Sequence, residues 1–154
     1  MLDNASLRAH NLDIVESQWA HRYLGIPFRS GGRDVSGIDC WGIVCLVYKE
    51  ELGIDLPKME GLAGTKLGGS TDAIVAAVPE VSMDFAQLLS GEPDEFDLLF
   101  FYNPPHLFHV AIVCKPNDFV LHATWGMPVC AVRRTLLPHP SETYRHLSRL
   151  RHAG

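Results

Sequence analysis

What the sequence lacks narrows its reading before any motif is considered. There is no run of lysine and arginine: 13 basic residues stand against 18 acidic ones, for a formal charge of −5. A nucleic-acid partner, which needs clustered cations against phosphate, is therefore not expected. No apolar run reaches the roughly 20 residues of a membrane-spanning helix, so no membrane partner is expected either. Met1–Asn11 carries Asp3, Arg8 and His10 and has no apolar core of a secretory leader, so cytoplasmic synthesis without an export signal is expected. Cys-x-x-Cys pairs, internal repeats and low-complexity tracts are also missing. The cysteines are Cys40, Cys45, Cys114 and Cys130. The last three sit in apolar runs and read as buried core thiols, because a 154-residue chain can build a core without disulfide staples.

What is present reads as one domain over residues 1–154, with an irregular insertion at about 54–95. Leu12, Val15, Trp19 and Tyr23 recur at helical steps, which predicts a helix over 11–24 capped by Asn11 or Asp13. Gly25 and Pro27 stop it, and the glycine-bearing stretch 25–39 reads as a loop. A second, mostly apolar helix is expected over 40–52, ended by Gly53. Within the insertion, short helices are expected from Ser70 to Val78 and from Ser82 to Leu89. After Phe96 the period changes to that of strands, at 97–102, 108–114, 119–124 and 129–134, with a weaker candidate at 145–151. Helices followed by a run of strands imply an α+β fold, with helices packed on an antiparallel sheet.

The chemistry concentrates at Cys40. A glycine-bearing turn delivers this thiol to the start of a helix, where free backbone N–H groups and the helix dipole favour a thiolate. His109 and His122 lie on the two strands of an expected hairpin around Pro116-Asn117-Asp118. A turn centred there sets His109 opposite residue 122, 123 or 124, so the imidazoles are cross-strand neighbours. One ring can serve the thiol while the other fixes its tautomer, which is the logic of nucleophile, base and orienting group. A zinc site from Cys40, His106, His109 and His122 is the alternative, without the usual ligand spacing in its favour. Arg29 and Arg33 either face substrate carboxylates or are solvated loop residues. Trp125 either lines a substrate groove or packs on the sheet edge. Trp41 reads first as core.

Four blocks in order resemble the NlpC family of cysteine peptidases, which are papain-like bacterial enzymes that cut cell-wall stem peptides. The blocks are Gly25-Ile26-Pro27-Phe28-Arg29-Ser30-Gly31-Gly32, Asp39-Cys40-Trp41-Gly42-Ile43-Val44, His109-Val110-Ala111-Ile112 and Leu121-His122-Ala123. The resemblance implies a papain-like fold with N-terminal helices on a C-terminal antiparallel sheet of about five or six strands. It implies Cys40 as nucleophile, His109 as base and His122 as the orienting residue, with a depressed thiol pKa and neither metal nor cofactor. It places Asp39, Trp41, Phe28 and Trp125 at substrate-contacting positions. Four departures stand out: Phe28 replaces a tyrosine, Trp41 a serine, Ser30 an aromatic residue, and Phe96 the glycine of a Gly-Asp pair completed by Asp97. Asp-Cys-Trp-Gly followed by Glu-Glu-Leu-Gly-Ile-Asp-Leu-Pro (50–57) is most similar to the branch found in phage tails, prophages and gene-transfer agents. The implied function is a cysteine endopeptidase or amidase acting on peptidoglycan peptides, in contact with other tail proteins in a virion tail. The alternatives are a non-catalytic tail-assembly module that keeps the fold, and an amidase or thioesterase on another acyl substrate.

Overall fold

The computed structural model describes residues 15–57, 85–103, 106–137 and 141–150. The caps Asn11 and Asp13 and the helix expected at 70–78 lie outside the described residues. Helix α1 is a single turn, Gln18–His21, shorter than the periodicity predicts. The reason lies in Val15–Ser17, whose backbone is committed elsewhere. The N–H groups of Glu16 and Ser17 both donate to the Lys115 carbonyl, at 2.6 and 3.1 Å, and the Lys115 N–H donates to Ser17 Oγ at 2.8 Å. The apolar spacing reported burial, since Val15, Ala20 and Tyr23 are all buried, but not helix length.

The glycine-bearing loop is pinned by a two-residue antiparallel ribbon, β1 (Arg33–Asp34) with β2 (Gly37–Ile38). Helix α2 follows at Cys40–Val47 and continues as a π-helical turn through Tyr48–Leu52. Gly53, at φ 67°, takes the left-handed conformation that closes it, at the position the sequence marks as the stop. Nearly every side chain of α2 is buried, as its apolar composition requires.

Six strands form one antiparallel sheet in the order β3-β8-β4-β5-β6-β7. They are β3 (Ala86–Leu89), β4 (Leu98–Asn103), β5 (His106–Val113), β6 (Phe119–Thr124), β7 (Met127–Arg133) and β8 (Ser141–His146). This is the α+β, papain-like architecture expected, at the upper end of the strand count. Two elements differ from the sequence reading. Ala86–Leu89 is a strand rather than the end of a helix, because β8 offers its backbone a full antiparallel partner, with Ala86 opposite His146 and Leu89 opposite Thr143. Local helical spacing loses to that tertiary pairing. The final strand is Ser141–His146, and residues 147–149 turn into a 3-10 helix where strand was expected.

Both faces of the sheet are buried. Ile43, Val44 and Val47 of α2 share a core with Leu98, Phe100, Val110, Ile112 and Leu121. The alternate residues Leu99, Phe101, Ala111, Val113 and Val120 form a smaller cluster on the other face. At the sheet's entry, Asp97 is fully buried, and the Arg145 guanidinium grips both its oxygens at 2.8 Å. That fork ties β8 to the turn before β4 and leaves the buried charge paired.

Candidate active site

The loop before Cys40 is folded around one carboxylate. Asp39 caps α2, its Oδ1 accepting the Gly42 N–H at 2.7 Å, and its Oδ2 accepts the Gly31 N–H at 2.9 Å. Arg33 Nη1 donates to the same Oδ1 at 2.7 Å and to the Gly32 carbonyl at 2.8 Å. Asp39 is fully buried, and the Arg33 side chain is nearly so. Close backbone approach makes this possible: a Cβ on Gly42 would stand 2.2 Å from the Gly32 carbonyl oxygen, so only glycine fits. The expectation of a role for Asp39 in holding substrate meets a carboxylate that is already engaged inside the chain.

Cys40 opens α2, as the sequence predicts. Its sulfur receives the backbone N–H groups of Val110 and Trp41, which sets the thiol against β5 directly after His109. The depressed thiol pKa that was expected is not found. Burial pushes the thiol up to about 12, and the Asp39 carboxylate pushes the same way against the opposing effects of the two amides and Arg33. The helix terminus does favour a thiolate, but here its N-cap is itself an anion and solvent is excluded.

The hairpin brings the two histidines together. Ile112 faces Leu121 and Val113 faces Val120, a register that sets His122 diagonally from His109. His109 Nε2 and His122 Nδ1 are 2.8 Å apart, with ring planes at 71°. The His109 ring also lies 6.0 Å from Phe101, its partner on β4. Both imidazoles are buried, and burial lowers them to about 3 for His109, where His122 adds repulsion, and about 4 for His122. The pair is thus neutral near pH 7. One nitrogen of the contact carries the hydrogen. If His109 donates from Nε2, its Nδ1 is the basic nitrogen, and His122 carries its own hydrogen on Nε2.

The other candidates divide. Phe28 bridges to Ile38, and its ring meets Trp125 edge-on at 5.3 Å. Together they wall a groove of about 570 Å³ between the 27–30 loop and the β6–β7 turn. Trp125 is 67% exposed, an open aromatic surface. Trp41 is not part of this wall. It is 2% exposed, donates its indole N–H to the Pro57 carbonyl at 2.6 Å, and packs near Phe85 and Phe100. Its first reading as core was correct, and its expected contact with substrate is not supported. The side chain of His106 lies outside the described residues, and among the described residues no three metal-ligating side chains converge.

Sequence reasoning missed the role of Arg33, read there as solvated or substrate-facing. A signal was available: an arginine in a Gly-Gly loop six residues before a buried helix cap. A second cavity, of about 510 Å³, opens at the far end of β5 among Glu95, Lys115, Arg145 and Arg149, and it is remote from Cys40 along that strand.

A model described as the NlpC/P60 family matches residues 25–139, which include Cys40, His109 and His122. The chain belongs to that family. Members of the NlpC/P60 family are cysteine peptidases and hydrolases. Among curated proteins, "Protein P54" of Enterococcus faecium is 33% identical over 101 residues, covering 66% of this chain and 16% of that protein. "Gamma-DL-glutamyl hydrolase" of Bacillus subtilis is 43% identical over 47 residues, covering 30% of this chain and 11% of that protein. The chain therefore corresponds to a small part of either relative. The solved NlpC/p60 domain of the peptidoglycan hydrolase SagA superposes with a TM-score of 0.54 at 24% identity, covering 92% of this chain and 97% of that one. This last likeness concerns the fold.

Proposed function

We propose that this NlpC/P60 domain is a cysteine peptidase that hydrolyses an amide bond in peptidoglycan stem or cross-bridge peptides. The observation that carries the reading is the buried His109–His122 hydrogen bond beside the peptide that contacts the Cys40 sulfur. The printed names of the relatives, a peptidoglycan hydrolase and a gamma-DL-glutamyl hydrolase, support the substrate class.

The mechanism starts from neutral partners. His109 Nδ1 takes the Cys40 proton as the sulfur attacks the carbonyl carbon, so the thiolate forms in concert with bond making rather than as a resting ion pair. His122 accepts the His109 Nε2–H and stabilises the imidazolium. The tetrahedral oxyanion draws on the Cys40 backbone N–H at the start of α2, because the Trp41 and Gly42 amides are engaged by the Cys40 sulfur and Asp39 and phenylalanine at position 28 supplies no hydroxyl. His109 gives its proton to the leaving amine, the C–N bond breaks and a thioester remains. Water adds to the thioester with His109 again as base, releasing the carboxylic acid and restoring the thiol.

The setting we assign is a phage or prophage tail. Asp39-Cys40-Trp41-Gly42 and the stretch 50–57 support it, and the packing of Trp41 on Pro57 gives these two stretches one structural role. A non-catalytic tail module is the second reading, favoured by the missing hydroxyl at Phe28. Incubating purified peptidoglycan with the wild-type protein and with Cys40→Ser decides between them. Release of peptide fragments by the wild type alone, with the cut bond assigned by mass spectrometry, is expected. Equal release by both proteins rejects the peptidase, and release of non-peptide acyl fragments alone redirects it to the amidase or thioesterase chemistry.

A further inference from the structure

Two opposite charges are buried at the end of α2 that carries Cys40. Asp39 precedes Cys40 in the chain, and its carboxylate reaches over the first helical turn to the Gly42 N–H. Arg33, on β1, meets the same oxygen, and its side chain is 9% exposed against 1% for Asp39. Both charges are thus out of water, where solvent and salt screen them least. The strands packed on α2 are β1, β5 and β6. Asp34, the other charged residue of β1, is exposed and bonded to Ser36. From β5 and β6 come His109 and His122, which are neutral near pH 7. The charged residues of the helix's own continuation begin only at Lys49, at its far end. Among the described residues, Asp39 and Arg33 are therefore the fixed charges that act on Cys40. After burial itself, Asp39 is what holds the thiol up, and Arg33 opposes it.

We propose that Arg33 is a positioning residue for the nucleophile, neutralising the buried Asp39 carboxylate so that negative charge can build on the Cys40 sulfur during attack. The carboxylate serves the helix, because it caps the turn that presents Cys40 and ties it to Gly31. It opposes the thiolate, because a like charge close by disfavours ionisation. Arg33 lets the chain keep the cap while cancelling its field at the sulfur. The backbone is shaped to hold the cation there: the Gly32 carbonyl accepts from Arg33, and it fits against α2 only because residue 42 is glycine. Arg33 acts through Asp39 and needs no contact with the reacting atoms. The inference rests on the peptidase reading above.

Alkylation of Cys40 by iodoacetamide tests it, since the rate follows the thiolate fraction and needs no peptide substrate. Rates are measured by mass spectrometry from pH 7 to 10 for the wild type, Arg33→Gln, Arg33→Lys, Asp39→Asn and the double variant Asp39→Asn, Arg33→Gln. Arg33→Gln should be about tenfold slower at each pH, the thiolate lost when titration moves up by about one pH unit. Arg33→Lys should recover most of the rate, because the bonds to Asp39 and Gly32 leave from one nitrogen, Nη1, which an ammonium can imitate. Asp39→Asn keeps a capping oxygen and should react about tenfold faster than the wild type. The double variant should return at least to the wild-type rate, whereas a purely structural clip would leave it no faster than Arg33→Gln. Equal rates in the wild type and Arg33→Gln, or a double variant no faster than Arg33→Gln, overturn the proposal. Cys45, Cys114 and Cys130 are buried, so their labelling reports unfolding. Should Arg33→Gln unfold, Asp39→Asn carries the test, and a rate no faster than the wild type overturns the proposal. Fragment release from peptidoglycan is scored separately, so failure of the peptidase reading is not confused with failure of the labelling order.

Discussion

His109 Nε2 sits 2.8 Å from His122 Nδ1, and both rings are buried. This contact assigns unequal roles to two otherwise similar residues. His109 immediately precedes the Val110 amide that is bonded to the Cys40 sulfur, and His122 contacts its ring at Nε2. His109→Ala should therefore cost about 10²–10⁴ in kcat, the usual worth of a positioned general base. His122→Asn keeps a carbonyl acceptor for the His109 N–H and should retain more activity than His122→Ala. Steady-state rates on solubilised peptidoglycan peptides check the order. Equal loss in both His122 variants would mean that packing, not the hydrogen bond, is what matters there.

Alkylation of Cys40 should be slow at neutral pH. Burial and the adjacent Asp39 carboxylate hold its thiol near 12, so the thiolate fraction in the free enzyme is small and grows with each step in pH. Iodoacetamide labelling of the Cys40 peptide, followed by mass spectrometry from pH 6 to 10, should climb throughout without a plateau. Cys40→Ala identifies the signal. A rate already saturated at pH 6 would establish a resting ion pair and reject the concerted start of the mechanism.

The histidine pair also sets an acid limit on stability. Both folded values, about 3 and about 4, lie below the ordinary 6.5, so between these limits the unfolded chain binds more protons than the folded one. The stability of the neutral pair is complete above pH 6.5 and is lost as pH falls toward the folded values. The slope approaches about 1.4 kcal/mol per pH unit for each histidine. Urea titrations at pH 7.5 and 5.0 should show a clear drop in midpoint, and the doubly substituted His109→Gln, His122→Gln protein should show a smaller one. A midpoint insensitive to pH in the wild type contradicts buried neutral rings.

The sequence made the helix-start position of Cys40, the pairing of the two histidines and the hairpin legible because each depended on local signals. Glycine and proline marked the turns, apolar runs marked the strands, and a two-residue period set the faces. It misjudged what depends on partners distant in sequence. Ala86–Leu89 became a strand because β8, more than fifty residues later, supplied its hydrogen bonds. Helix α1 shortened because Lys115 claimed its leading backbone. Trp41 kept its core role because Pro57 and Phe100 enclose it, even though its neighbour is Cys40. The thiol pKa failed for the same reason: the dipole is a local property, while burial is set by the whole fold.

Phe96 stands where the resemblance expects glycine, and the structure shows what that exchange involves. Its φ of 73° is left-handed, which a side chain disfavours by about 1–2 kcal/mol. Its ring stacks on Trp19 at a centroid distance of 4.5 Å, with the Arg149 guanidinium 4.9 Å from its centre. Its N–H donates to Val113 and its carbonyl accepts the Tyr48 hydroxyl, so the backbone is fixed from two elements and cannot relax to another conformation. Phe96→Gly would relieve the strain and lose the ring. Truncating a buried phenylalanine costs about 3–5 kcal/mol, which exceeds the relief, so the variant should be less stable by about 2 kcal/mol. Phe96→Ala keeps the strained backbone and loses the ring, and it should fall further still. Chemical denaturation of the three proteins checks the order wild type, glycine, alanine. A glycine variant more stable than the wild type would mean that the aromatic stack contributes less than the strain it imposes.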